Sequence, residues 1–237
     1  MYLIIGSGRA ATHFCRFFAL KGIPYIQWNR QDHSLHELQS ALATANKILL
    51  LISDSQLESF YQEYLGGFSG PIIHASGSLE IKGMIAAHPL MTFGPKPYLL
   101  ETYEKMGFAV GPETDFNILF PELKNPSFRI QPDDKFAYHA WAVYSGNFAT
   151  LLWKEALAGF DNLGVPRGIV ETYLEQILHN VVRNPELALT GPLARKDLKI
   201  ISNHLSLLPE PARSIYQSFV DSYVPELHKE VIHDANS

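Results

Sequence analysis

Over its first half the chain alternates short apolar runs with stretches of helical periodicity. Tyr2-Leu3-Ile4-Ile5 reads as a buried strand, Ala10 to Leu20 as a helix capped by Gly22, and Pro24-Tyr25-Ile26-Gln27-Trp28 as a second strand. Leu35 to Ala45 has helical spacing, and Lys47 to Ile52 is apolar on both faces, as suits the middle of a parallel sheet. Ser53-Asp54-Ser55 then reads as the N-cap of a helix over Gln56 to Leu65, ended by Gly66-Gly67. Pro71 to Ala75 and Met84 to His88 are further strands, the second stopped by Pro89. Gly107 to Val110 and Ser127 to Ile130 are short strand candidates near the sheet's edge. Strands alternating with helices predict a doubly wound α/β domain.

The pattern changes near Pro132-Asp133-Asp134. From Lys135 to Leu163 runs a long helical pattern with Gly146 and Gly159 as weak points. Further helices follow, punctuated by Pro166, Pro185, Pro192, Pro209 and Pro225, and Ala235-Asn236-Ser237 reads as a frayed end. The boundary is expected near residue 131, with domains 1–131 and 132–237.

The first strand runs straight into Gly6-Ser7-Gly8-Arg9-Ala10-Ala11, which opens the first helix. Gly6 suits a tight strand-to-helix turn, Gly8 lets backbone approach a pyrophosphate, and small Ala11 allows close packing of helix on sheet. The N–H groups of Ser7, Gly8, Arg9 and Ala10 would then face the phosphates. This spacing predicts a Rossmann nucleotide site, and a purely structural glycine turn is the alternative. The fold class expected is α/β: an N-terminal doubly wound Rossmann domain followed by an all-helical C-terminal domain.

After the second strand stand Asn29 and Arg30, where a cofactor lacking the ribose phosphate usually meets Asp or Glu. Arg30 offers a planar fork suited to a 2′-phosphate, and Arg9 could flank the same group, so NADP is expected over NAD. On the other view Arg30 is a solvated loop residue and Asp32 takes the ribose.

Composition narrows the partners. Of 237 residues 46% are hydrophobic and 18% charged, which fits a folded globular chain. A net charge of −5 favours neither a nucleic-acid backbone nor an anionic membrane, so any phosphate binding is local. Cys15 is the sole cysteine and reads as a packing residue. The chain opens on a strand without a basic n-region, and no apolar run approaches the roughly 20 residues of a spanning helix. A cytoplasmic protein is expected. No His or Cys pair has metal-ligand spacing, and no metal is expected.

Ligands of open α/β sheets lie beyond the carboxyl ends of the strands, which picks out Asp54, His74, Ser76, Gly77 and His88. Asp54 belongs to the cofactor end of that row. Ser76 and Gly77 offer a hydroxyl and backbone donors to a substrate, or are simply a turn. His88 could act on a substrate oxygen during hydride transfer, or be structural. In the helical half His139 and Asn147 lie about two turns apart on one helix face. Thr190-Gly191-Pro192 before Arg195-Lys196-Asp197 reads as a fixed loop, with Arg195 an anion clamp or Asp197 an N-cap.

His88-Pro89-Leu90-Met91-Thr92-Phe93, Tyr138-His139-Ala140, Ser145-Gly146-Asn147-Phe148, Ala188-Leu189-Thr190-Gly191-Pro192 and His204-Leu205 together resemble a bacterial family of Rossmann-like proteins with a C-terminal domain of unknown function. The resemblance covers nearly the whole chain. The family is similar to the 6-phosphogluconate-dehydrogenase-like reductases, among them ketopantoate reductase and pyrroline-5-carboxylate reductase. That likeness implies a helical domain over the nicotinamide and a homodimer. Prephenate dehydrogenases have a similar His-Pro segment whose histidine contacts the substrate hydroxyl, which implies the same of His88. Of the helical Lys and Asn of ketopantoate reductases, only Asn147 has an evident counterpart. The family usually has Arg-Gly-Asp where this chain has Arg195-Lys196-Asp197.

The function expected is hydride transfer between NADP and a small carbonyl, imine or alcohol. His88, Ser76 and Asn147 are the catalytic candidates. Gly6, Ser7, Gly8, Arg9, Ala10, Asn29, Arg30 and Asp54 would hold cofactor, and Gly77, His139 and Arg195 would contact substrate. The alternative is a non-catalytic NADP-binding or sensing module.

Overall fold

The computed structural model describes residues 1–224, so the expected frayed end at Ala235-Asn236-Ser237, and Pro225, lie outside the described residues. The chain divides into two compact units, the first Met1–Phe148, the second from Ala149 onward.

The first unit is built on seven strands: β1 (Tyr2–Ile5), β2 (Tyr25–Trp28), β3 (Lys47–Leu50), β4 (Ile72–His74), β5 (Ile85–Leu90), β6 (Gly107–Val110) and β7 (Ser127–Arg129). They lie in the order β2-β1-β3-β4-β5-β6-β7. Strands β2 to β5 and β1 pair in parallel, β6 runs antiparallel to β5, and β7 is parallel to β6. β1 is buried along its whole length because its alternate side chains enter different cores. Tyr2 and Ile4 join Phe14, Phe18, Phe108 and Phe120 on one face, and Leu3 and Ile5 join Trp28, Leu50 and Phe60 on the other.

Six helices complete this unit: α1 (Arg9–Lys21), α2 (Leu35–Thr44), α3 (Asp54–Phe60), α4 (Leu100–Glu104), α5 (Phe116–Leu119) and α6 (Lys135–Val143). Gly22 caps α1 in the left-handed conformation, φ 66°, its region returning N–H bonds to Phe18 and Ala19 carbonyls. Ser34 and Glu37 form a reciprocal capping box on α2. Cys15 is buried in α1, and burial pushes its thiol up to about 11, as befits a packing residue.

Three local expectations are corrected. Pro89 does not stop β5, which continues to Leu90. β5 pairs with β4 only as far as Ala86 and from Ala87 onward with β6, so a missing N–H on its vacated side breaks no ladder. The helical run from Lys135 is interrupted by a π turn over Tyr144–Phe148, which contains Gly146, before α7 (Ala149–Asn162). The helix after β3 also closes in a π turn, Tyr61–Leu65.

The second unit is helical: α7, then α8 (Arg167–Arg183), α9 (Pro185–Ala188), α10 (Gly191–Arg195), α11 (Leu198–Leu207) and α12 (Ala212–Tyr223). Ile201, Val220 and Val224 form its buried cluster with Leu193, Leu205 and Tyr216 against them. Large apolar side chains stay exposed, among them Tyr173, Val182, Leu187 and Leu207. No helix of the described residues is long and apolar enough to cross a membrane.

Candidate active site

The glycine turn is pinned on both sides. Gly6 donates its N–H to the Trp28 carbonyl at 2.9 Å, and its own carbonyl accepts from Gln27 Nε2 at 2.9 Å. Its φ is +137°, and a Cβ there would stand 2.2 Å from the Leu51 carbonyl oxygen, so only glycine fits. Gly8 is the N-cap of α1, and a Cβ on it would meet nothing within 4 Å. The first turn of α1 therefore opens onto free space that a phosphate can enter.

Around this turn lies a cleft of about 490 Å³. Every residue expected to hold cofactor lines it: Gly6, Ser7, Gly8, Arg9, Ala10, Asn29, Arg30 and Asp54. Arg9 and Arg30 are exposed, whereas Asn29 is buried and builds the turn. Asn29 Oδ1 accepts from the N–H groups of Gln31 (3.0 Å) and Asp32 (3.1 Å). Its Nδ2 donates to Asp32 Oδ2 at 3.0 Å. The carboxylate that could have taken a ribose hydroxyl is thereby turned to Asn29. The residues present fit a dinucleotide, and the arginines fit one bearing a 2′-phosphate.

Ser76, just beyond β4, also lines the cleft. Ser76 is buried; its hydroxyl donates to Asp54 Oδ2 at 2.7 Å and accepts from the N–H groups of Ser78 (3.3 Å) and Leu79 (3.2 Å). Gly77 follows and is enclosed by two imidazoles. A Cβ on it would lie 2.6 Å from His139 Cδ2 and 3.0 Å from both Cδ2 and Nε2 of His88. His88 Nδ1 is 2.7 Å from the Tyr138 hydroxyl, and the His88 and His139 rings meet edge to face at 5.9 Å.

Two buried groups support this cluster. Lys135, at the start of α6, bonds the Leu79 carbonyl and pairs with Glu80 at 2.9 Å, tying α6 to the loop after β4. His74, wholly buried, accepts the Ser76 N–H on Nδ1 at 3.3 Å. Burial, followed by the Lys135 charge, holds His74 down at about 4. Burial, followed by the charges of His139 and Lys135, holds His88 down at about 4 as well. Both imidazoles are neutral at pH 7.

The fold thus brings Ser76, Gly77, His88 and His139 together. Asn147 stands exposed in the π turn, outside the contacts that gather them. Arg195 belongs to the second unit, exposed in the last turn of α10. The Thr-Gly-Pro segment expected as a loop opens that helix, with Pro192 in its first turn, and Asp197 is the N-cap of α11, accepting the Ile200 N–H. Lys196, where the family usually has glycine, sits at φ 54°. Sequence reasoning left Lys135 and Tyr138 out of the site. Their spacing with His139 (i, i+3, i+4) marks one helix face, which was the available signal.

Residues 113–223 match the family described as Domain of unknown function (DUF2520). The chain joins a Rossmann-like fold to a segment that matches this domain. That domain takes in Lys135, Tyr138 and His139 but not His88, so the candidate site draws on residues from both sides of its first boundary. No curated protein matches the chain in sequence. Among solved structures it is similar to a candidate NADP oxidoreductase from Bacteroides fragilis (21% identity, TM-score 0.78, covering 94% of this chain and 96% of that one). An imine reductase from Myxococcus stipitatus in complex with NADP+ is similar at 13% identity and TM-score 0.57, covering 98% and 94%. A 1-pyrroline-5-carboxylate reductase from Streptococcus pyogenes follows at 16% identity and TM-score 0.56, covering 95% and 97%. At these identities the likeness is one of fold, and it agrees with the α/β class expected from the sequence.

Proposed function

We propose that this DUF2520 protein is an NADP-dependent oxidoreductase that moves hydride between the nicotinamide and a small carbonyl, imine or alcohol substrate. One observation carries the proposal: the cleft around the glycine turn is also lined by Ser76, and the residue after Ser76 touches His88. The similar folds described as an NADP oxidoreductase, an imine reductase and a pyrroline-carboxylate reductase support it.

NADP supplies or takes the hydride; the chain binds, orients and polarises. Gly8 and the N-terminal turn of α1 would receive the pyrophosphate, and Arg9 and Arg30 would pair with the 2′-phosphate. Asp54, held by the Ser76 hydroxyl, lines the cleft. His88 serves the substrate heteroatom as a neutral imidazole. Held far below its ordinary value, it carries no imidazolium proton at pH 7, so it works through a hydrogen bond to the atom on which charge develops.

Turnover with NADPH across a panel of small keto acids and cyclic imines tests this function. His88→Asn is expected to lower kcat at least about a hundredfold, as does loss of one donor to a developing oxyanion, with NADPH affinity unchanged. NADPH binding without turnover on the whole panel would favour a binding or sensing module instead.

A further inference from the structure

Tyr138 lies on α6 one turn after Lys135, wedged between two rings. Its ring meets His88 edge to face at 5.5 Å and Phe128 at 5.8 Å. Its hydroxyl is 2.7 Å from His88 Nδ1, and among the described residues that hydroxyl has no other hydrogen-bond partner. Burial pushes the phenol up to about 12, so it keeps its proton and has one to give. A neutral imidazole carries a single proton, and if Nδ1 accepts from the phenol that proton is on Nε2. Nε2 is the atom at Gly77, 3.0 Å from where a Cβ would be.

We infer that Tyr138 is a positioning residue for His88, fixing its ring and tautomer so that Nε2–H is the donor offered beside Gly77. The inference rests on the proposed role of His88 and adds the residue that selects which nitrogen bears the hydrogen. No proton leaves Tyr138 in this arrangement. Its hydroxyl proton stays bonded to oxygen and shared with Nδ1 while Nε2–H meets the substrate heteroatom.

The test is the nitrogen-15 spectrum of histidine-labelled full-length protein at pH 7, with the His88 signals assigned by their loss in His88→Asn. Native protein should show His88 in the Nε2–H form. Tyr138→Phe keeps the ring and both edge contacts but removes the hydroxyl. It should lower the Nε2–H to Nδ1–H ratio about fivefold, the equivalent of one neutral hydrogen bond. An Nδ1–H form in the native protein overturns the inference, as does an unchanged ratio in folded Tyr138→Phe. If that variant does not fold, the native spectrum decides alone. The readout needs no substrate, so a failed turnover panel leaves it standing. Where turnover is found, Tyr138→Phe should lower kcat and leave NADPH affinity unchanged.

Discussion

Gly77 and His88 are in contact: a methyl group on Gly77 would stand 3.0 Å from His88 Nε2 and 2.6 Å from His139 Cδ2. Gly77 is buried, and its backbone is not left-handed, so Gly77→Ala tests space and not strain. The variant should lose about 1–3 kcal/mol in urea unfolding, the usual cost of overfilling a packed site, and should move the His88 ring signals. An unchanged unfolding midpoint would contradict the enclosure.

The two glycines of the turn should part company. Gly6→Ala meets the Leu51 carbonyl at 2.2 Å with φ +137°, and is expected to abolish stable folding. Gly8→Ala meets nothing within 4 Å, so its melting should stay close to native. It should still bind NADPH at least about tenfold more weakly, because the methyl occupies the path of the pyrophosphate. Calorimetry on the folded Gly8 variant decides the point.

Cofactor choice should depend on Arg30. The native protein is expected to prefer NADPH over NADH by at least about tenfold, or ~1.4 kcal/mol, within reach of one charge-assisted phosphate contact. Arg30→Ala should lose that preference while keeping NADH affinity. Equal native affinities by calorimetry would remove Arg30 from the site.

Acid should weaken the first unit. His74 and His88 are held at about 4 in the folded protein against an ordinary 6.5, so the unfolded chain binds more protons between those values. Their contribution is fully present above about 6.5 and is lost as pH falls toward about 4, by up to about 3 kcal/mol for wholly buried His74. Urea midpoints at successive pH values should therefore decline over that range, and His74→Gln should flatten the decline.

A homodimer formed mainly through residues 132–237 is expected. Trp141 is 70% exposed and Tyr173 57%, with Trp153 also exposed and Phe160 half-buried, more aromatic surface than a solitary protein usually leaves to water. Sedimentation at micromolar concentration checks it, and a monomer would refute it.

The sequence by itself determined what short-range chemistry governs. The strand–glycine–helix turn, the Gly22 cap and the doubly apolar run of β3 each act within a few residues, so they were legible without the fold. Arg30 following β2 was legible for the same reason. Only the tertiary structure decided what long crossovers bring together. The Asp54–Ser76 bond spans 22 residues and the His88–Tyr138 bond spans 50, and no local pattern marks either pairing. Pro89 and Lys196 were misread or doubtful for a related reason. A proline is tolerated in β5 because the strand changes neighbours at Ala86, and Lys196 takes a left-handed φ of 54° between α10 and α11. The neutrality of His88 is likewise a tertiary property: it comes from burial and from Lys135 and His139, which lie some 50 residues further along the chain on α6.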